Sequence, residues 1–383
     1  MKLRSRIRML TTATRTAAVL GFVLGAVLTG NAREARAQSS GFAIDRYEPS
    51  QRGSDWYANE SLDFRGHVRP AVGVILDWAY RPLEFRDVGP VDARHTANLI
   101  VDQVFAHVGG SVVFADRVRA GVSLPVAIYQ DGKSDSSLFA QAPDKSAVGD
   151  LRLTTDVRLF GEYAGPFSLA LGAQVHLPTG VRRLFTSDGT VRVSPRLLVA
   201  GSAKGIPYAF KTGVMIRPFD GTFEGRPLGS ELFMSAAIGL KANDRFIFGP
   251  EIIASTVVDR KDSFLHKRAT PVELLVTGRV TLANVWQIGA AIGPGFTQGD
   301  GSPSMRVLAS LDYVPDVCID KDGDGICANV DACPERDGER SPDPKLNGCP
   351  RKRPDDEKPK ATDDLGSKPE TLSPGSEDQV ITE

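Results

Sequence analysis

From about residue 65 to residue 314, apolar and polar positions alternate with a period of two, interrupted at intervals by turn-forming residues. Leu151, Leu153, Thr155, Val157 and Leu159 interleave with Arg152, Thr154, Asp156, Arg158 and Phe160. Val272, Leu274, Val276 and Val280 interleave with Glu273, Leu275, Thr277 and Arg279, and Met305, Val307, Ala309, Leu311 and Tyr313 with Arg306, Leu308, Ser310 and Asp312. Successive side chains of a strand point to opposite faces, so each such segment predicts a β-strand between two different environments. Twelve segments are predicted, at about 68–80, 99–114, 117–129, 149–163, 166–177, 190–203, 206–218, 229–242, 245–257, 269–283, 285–296 and 303–314. Most have 12 to 15 residues. Soluble strands have about five or six, whereas a tilted strand needs about 9–11 to cross a bilayer.

The links between segments alternate in length. Ala115-Asp116, Ala164-Gly165, Lys204-Gly205, Asn243-Asp244 and Ala283-Asn284 predict tight hairpin turns. Between them lie long polar connections at roughly 81–98, 130–148, 178–189, 219–228 and 258–268, and a shorter one at 297–302. Short turns at one end, longer loops at the other and an even strand number predict an all-β fold, a transmembrane antiparallel β-barrel over 65–315 in contact with outer-membrane lipid. Both barrel ends then fall on the short-turn, periplasmic side. The rival architecture is a secreted or surface β-sandwich acting in binding or adhesion. It explains the alternation of residues but not that of loop lengths. Trp78, Tyr80, Tyr129, Tyr163, Phe219, Trp286 and Tyr313 lie near segment ends, where interfacial rings are expected.

The polar face of the predicted strands carries both signs of charge. It includes Arg117, Arg119, Arg152, Arg158, Arg192, Arg196, Lys211, Arg217, Arg279 and Arg306 against Asp156, Glu162, Glu231, Glu251, Glu273 and Asp312. A cation facing lipid at the midplane costs about 2–4 kcal/mol, so these groups are expected to face the lumen. There they either cross-pair and close it or line a small anion-favouring pore for small solutes.

The N-terminus has the three-part layout of a secretory signal peptide. Lys2, Arg4, Arg6 and Arg8 precede the apolar run Ala17 to Leu28, and Ala35-Arg36-Ala37 offers an A-x-A cleavage site before Gln38. The expected organisation is a signal peptide at 1–37, a periplasmic lead-in at 38–64, the barrel at 65–315, a calcium-binding segment at 316–350 and a disordered tail at 351–383. A net charge of −1 gives no sign of a nucleic-acid partner. No histidine among His67, His95, His107, His176 and His266 stands in a recognisable Ser/His or Asp/His phrase, so no enzyme is expected.

The expected metal ligands lie past the last strand, in "DKDGDGICANVDACP". Calcium takes six to eight oxygen ligands at about 2.3–2.6 Å. Asp320, Asp322 and Asp324 offer carboxylates at alternate positions, Gly325 permits a sharp turn, the carbonyl of Ile326 can turn inward, and Asp331 supplies a late carboxylate. The flanks read as strand and turn, which argues against a two-helix EF-hand. All four cysteines, Cys318, Cys327, Cys333 and Cys349, fall in this region without a C-x-x-C pair, so disulfides are expected rather than zinc. Sequence alone permits three pairings.

At Asp320, Asp322, Asp324, Gly325, Asp331, Cys333 and Pro334 the chain resembles a thrombospondin type 3 repeat, a helix-free calcium-bound cable. The resemblance implies calcium as cofactor, a Cys333–Cys349 bridge and, for the remaining pair, Cys318–Cys327. Ala328 replaces a usual aspartate, which implies weaker calcium binding. A barrel followed by such a repeat, with "SQRGSDWYANESLDFRGHVRPAVG" from Ser50 to Gly73 and "VHLPTG" from Val175 to Gly180, resembles the outer membrane protein A (OmpA-like) family, particularly its long myxobacterial-type members. In that family a peptidoglycan-binding domain follows. Here Arg351 to Glu383 is a charged, Pro- and Ser-rich stretch, so wall binding is not carried over, and a periplasmic partner is the expectation for this tail.

Overall fold

The computed structural model describes residues 41–350 apart from 89–93, 139, 219–220, 244, 260–262, 298, 316–321 and 329. The expected signal peptide, at 1–37, and the expected disordered tail, at 351–383, lie outside the described residues. The described chain divides into two units, with the boundary between residues 317 and 318.

The first unit is built on twelve long strands, labelled here β1 (Val68–Val88), β2 (His95–Phe114), β3 (Val118–Asp131), β4 (Leu151–Phe160), β5 (Ser168–Leu177), β6 (Arg192–Ala203), β7 (Ile206–Met215), β8 (Glu231–Ile238), β9 (Phe246–Val257), β10 (Val272–Leu282), β11 (Trp286–Gly293) and β12 (Met305–Tyr313). Each pairs antiparallel with its neighbour in sequence, and β12 returns to β1 through Val72 opposite Tyr313 to Tyr80 opposite Met305. The ring is therefore closed, an all-β antiparallel barrel without a free edge. A two-sheet sandwich is excluded. Among the described residues no helix is long and apolar enough to cross a membrane.

The predicted alternation holds in the strands. In β4, Arg152, Thr154 and Asp156 are buried inside while Leu153 and Leu159 are exposed on the outer face. In β12, Arg306, Leu308, Ser310 and Asp312 face in, and Leu311 and Tyr313 face out. Val72, Leu76, Val108, Val122, Leu171, Val276, Ile288 and Ile292 continue an exposed apolar outer surface around the ring. At its short-turn end, Trp286 and Tyr313 pack edge to face, with centroids 5.2 Å apart.

The short turns follow their sequence signals. Ala115 and Asp116, Lys204 and Gly205, and Ala283 and Asn284 all have positive φ, as type I′ hairpin turns require. One long connection differs from expectation. Within 81–98, predicted as a polar loop, β1 runs on to Val88 and β2 starts at His95. The cause is apolar burial: Leu83, Phe85, Ala97, Leu99 and Ile100 pack against Phe42, Ile44, Phe185, Phe223 and Leu228 in a cap over the long-loop end. Phe223 and Leu228 reach the cap on a small hairpin of Gly221–Phe223 with Arg226–Leu228. Burying a side chain of this size contributes about 1.5–3 kcal/mol, enough to hold a loop inward.

Residues 41–64 depart most from the predicted organisation. They do not form a lead-in outside the wall but run through the lumen, from Gly41 among the long loops to Phe64 at the short-turn end. Phe42, Tyr47, Trp56, Tyr57, Leu62 and Phe64 are all buried. Tyr47 and Tyr57 pack on Ile75, Leu275, Ala291 and Leu308 midway, and Trp56, Leu62 and Phe64 on Val113, Leu198 and Ile247 lower down. Eight strands enclose a space their own side chains fill, whereas sixteen leave a channel. A ring of intermediate size has room for one extra segment, and this one occupies it.

Candidate functional site

The polar inner surface meets the luminal segment in a series of ionic contacts. Near the short-turn side, Glu60 receives Arg119 at 2.8 Å and lies 3.7 Å from Arg196, and both guanidinium groups also hold Asp156, at 2.9 and 2.7 Å. Arg52 of the segment and Arg279 of β10 share Asp312, at 3.2 and 2.8 Å. Glu251 of β9 accepts the backbone N–H groups of Tyr57, Ala58 and Asn59 at 2.7, 2.9 and 3.2 Å, and the Asn59 amide at 3.0 Å. Charge-assisted bonds of this kind are the stronger class. Removing one partner of a buried pair costs about 3–5 kcal/mol because the other charge is stranded.

Toward the long loops the contacts form a chain. Arg46 pairs with Glu231, Glu231 with Arg217 at 2.9 Å, Arg217 with Asp188 at 2.8 Å, and Asp188 with Arg192 at 3.2 Å. Asp188 also accepts the Ala43 N–H at 2.9 Å, which ties the loop to the segment. Burial pushes the Asp188 carboxyl up, but Arg217 and Arg192 outweigh it and hold it well below the usual carboxylate range. On the exposed rim, hydrogen bonds from His95 and the Ser137 backbone keep the Asp135 carboxyl low. Glu48 faces His176 at 3.3 Å. A cavity of about 100 Å³ remains between segment and wall, lined by Asp45, Glu48, His107, Arg152, His176, Lys211 and Glu273 among others.

Most of the predicted lumen charges lie in this surface. Arg119, Arg152, Arg192, Arg196, Lys211, Arg217, Arg279 and Arg306 are buried there with Asp156, Glu231, Glu251, Glu273 and Asp312. Arg117 and Glu162 are not, because they sit in exposed turns, and Arg158 is only half-buried near its strand end. Tyr163 is no membrane-interface ring: it donates to Asp55 at 2.8 Å and stacks under Arg65. Sequence reasoning missed the partner of these charges, residues 41–64. Its signal was composition, since Phe42, Tyr47, Trp56, Tyr57 and Phe64 are too many rings for a solvated linker.

In the second unit, Asp322, Asp324 and Asp331 are brought together, each half-buried, with one oxygen apiece within 4.8 Å of the others. Ile326 is buried and donates its N–H to Asp324 Oδ1 at 2.8 Å. Gly323 and Gly325 take φ of 87° and 82°, which lets the backbone turn around the carboxylates. Cys333 and Cys349 are bonded to each other, and Cys327 is in a disulfide. Asp320 and Cys318 lie outside the described residues.

A closed ring of strands with an apolar outer belt and a charged interior defines a transmembrane β-barrel of the outer-membrane type. Over 65 residues it is 37% identical to Outer membrane porin F of Pseudomonas aeruginosa, a match covering 17% of this chain and 16% of that protein. The chain thus spans about one sixth of the length of the curated relative it matches. No protein-family model matches. Among solved structures it is similar to an outer-membrane channel of Pseudomonas putida F1, with a TM-score of 0.48 at 13% identity over 66% of this chain and 98% of that one. It is also similar to the NanC porin (TM-score 0.41, 7% identity, 64% and 99%) and to LpxR of Salmonella typhimurium (0.34, 8%, 63% and 99%).

Proposed function

We propose that the protein is an outer-membrane channel for small solutes whose resting state is closed by its own residues 41–64. The observation that carries this reading is the pairing of wall charges with that segment: Glu60 with Arg119, Arg52 with Asp312, and Glu251 with three consecutive backbone N–H groups. These links are non-covalent and polar. Water can replace them when the segment withdraws, leaving a lumen lined with charge of both signs. A purely structural barrel could close its interior with apolar side chains at lower desolvation cost.

Planar-bilayer conductance tests the proposal. Full-length protein should pass current only in rare, short openings. The variant Arg52→Gln with Glu60→Gln, with the wall left intact, should open at least about tenfold more often, since roughly 1.4 kcal/mol lost from the closed state is a tenfold shift. Equal currents from the two proteins, both still shifting mobility on boiling in SDS, would remove the gating role.

Beyond β12, which ends on the short-turn side, we propose that calcium binds Asp322, Asp324 and Asp331, with Asp320 and the Ile326 carbonyl as further ligands. Three clustered carboxylates repel one another, and a hard dication offsets that repulsion. The Cys333–Cys349 disulfide restricts the same stretch. The segment would serve as a stiff periplasmic spacer, and residues 351–383 as a contact for a periplasmic partner.

A further inference from the structure

One part of the lumen gathers more carboxyl groups than guanidinium partners. The Arg306 guanidinium contacts Asp77, Glu273 at 2.7 Å and Asp45 at 3.6 Å. Three carboxylates gather around one guanidinium, in surroundings where uncompensated charge is expensive. His107 of β2 stands against two of the same carboxylates. Its Nε2 lies 3.4 Å from Asp45 Oδ2 and 3.6 Å from Asp77 Oδ2. The residue is 2% exposed, and Nε2 makes no hydrogen bond. Asp77 Oδ1 is likewise buried without a hydrogen-bond partner.

These separations fit one chemistry better than another. A hydrogen bond from imidazole to carboxylate is about 2.7–3.2 Å long, so both distances are too great for one. Two ligand atoms that share a tetrahedral ion at about 2.0–2.1 Å stand about 3.3–3.5 Å apart. The three donor atoms lie within 4.8 Å of one another. A dication would offset the excess of carboxylates. Calcium asks for six to eight oxygens, which a site with an imidazole and two carboxylates does not provide.

We propose that Asp45, Asp77 and His107 bind a divalent transition-metal ion, with Zn²⁺ as the probe, and that the fourth position opens to the adjoining cavity. Asp45 and His107 both line that cavity, whose volume of about 100 Å³ has room for a water ligand. Arg306 donates to Asp77 and Glu273 and so orients a ligand from the outer shell, the usual arrangement for a metal-bound carboxylate. The ligands come from different elements: Asp45 from the luminal segment, Asp77 from β1 and His107 from β2. The ion would therefore fasten the segment to the wall. The inference stands whether or not the lumen conducts.

The test uses full-length protein in detergent, stripped with EDTA and titrated with ZnCl₂. The background is Asp322→Asn with Asp324→Asn, so that the C-terminal carboxylates do not contribute. One equivalent of zinc should remain after desalting, and Co²⁺ in its place should give the visible bands of a four-coordinate N/O site. Asp45→Asn, which leaves every wall residue in place, should weaken zinc binding by at least about tenfold. His107→Gln should abolish the cobalt bands; if that barrel fails to fold, Asp45→Asn decides alone. A protein that shifts mobility on boiling yet retains no zinc would overturn the site, as would equal zinc affinity in Asp45→Asn.

Discussion

Gly73 shows how closely single positions on the inner face are fitted. A Cβ placed there would lie 1.9 Å from Asp312 Oδ1 and 2.6 Å from the Leu311 carbonyl oxygen. The first cannot swing away freely, because Arg52 and Arg279 both grip Asp312, and the second is backbone. Gly73→Ala should therefore cost about 1–3 kcal/mol and pull Asp312 off Arg52. A lower temperature for the loss of the folded SDS-gel band, with faster amide exchange over residues 50–60, is the expected result. At this scale the sequence was half legible. Period two assigned Arg279, Arg306 and Asp312 to the inner face, because a strand admits only two directions. It could not say that Asp312 would meet Arg52, since the luminal segment has no periodicity and its register is set by contacts in three dimensions.

The turns bring the argument to the scale of elements. Ala115 and Ala283 hold φ of 48° and 49°, a region that glycine and asparagine enter more cheaply. Ala115→Asn and Ala283→Asn should each stabilise the barrel by about 0.5–1 kcal/mol, read as a higher urea midpoint of unfolding. An unchanged midpoint for both would mean that ladder hydrogen bonds, not turn propensity, govern these hairpins. Here the sequence spoke clearly, because a two-residue link between apolar-alternating runs has few alternatives. It was silent about the long loops. Leu83 and Phe85 read as ordinary residues in a polar connection, Leu99 and Ile100 as the start of a strand, and only the meeting with Phe42, Phe185 and Phe223 turns them into a cap. Local pattern carries no information about a cluster assembled from five separate stretches.

For the molecule as a whole, the division after residue 317 makes the barrel and the C-terminal unit separable in experiment. Asp322, Asp324 and Asp331 come together in the C-terminal unit, and the Cys333–Cys349 pairing implied by the repeat resemblance is present. Proteolysis can show what the loop holds. With calcium, a chain whose carboxylates are bridged should resist cleavage near residue 325, because opening the loop requires release of the ion. Asp322→Ala with Asp324→Ala removes two of the expected ligands, so calcium should no longer slow cleavage there. The barrel should be indifferent, and its boiling-dependent mobility should match the wild type. Protection that persists in the double variant would reject the ligand assignment. A barrel that loses its folded band along with the protection would instead mean that the two units depend on each other for folding, and that the spacer is part of the barrel's stability.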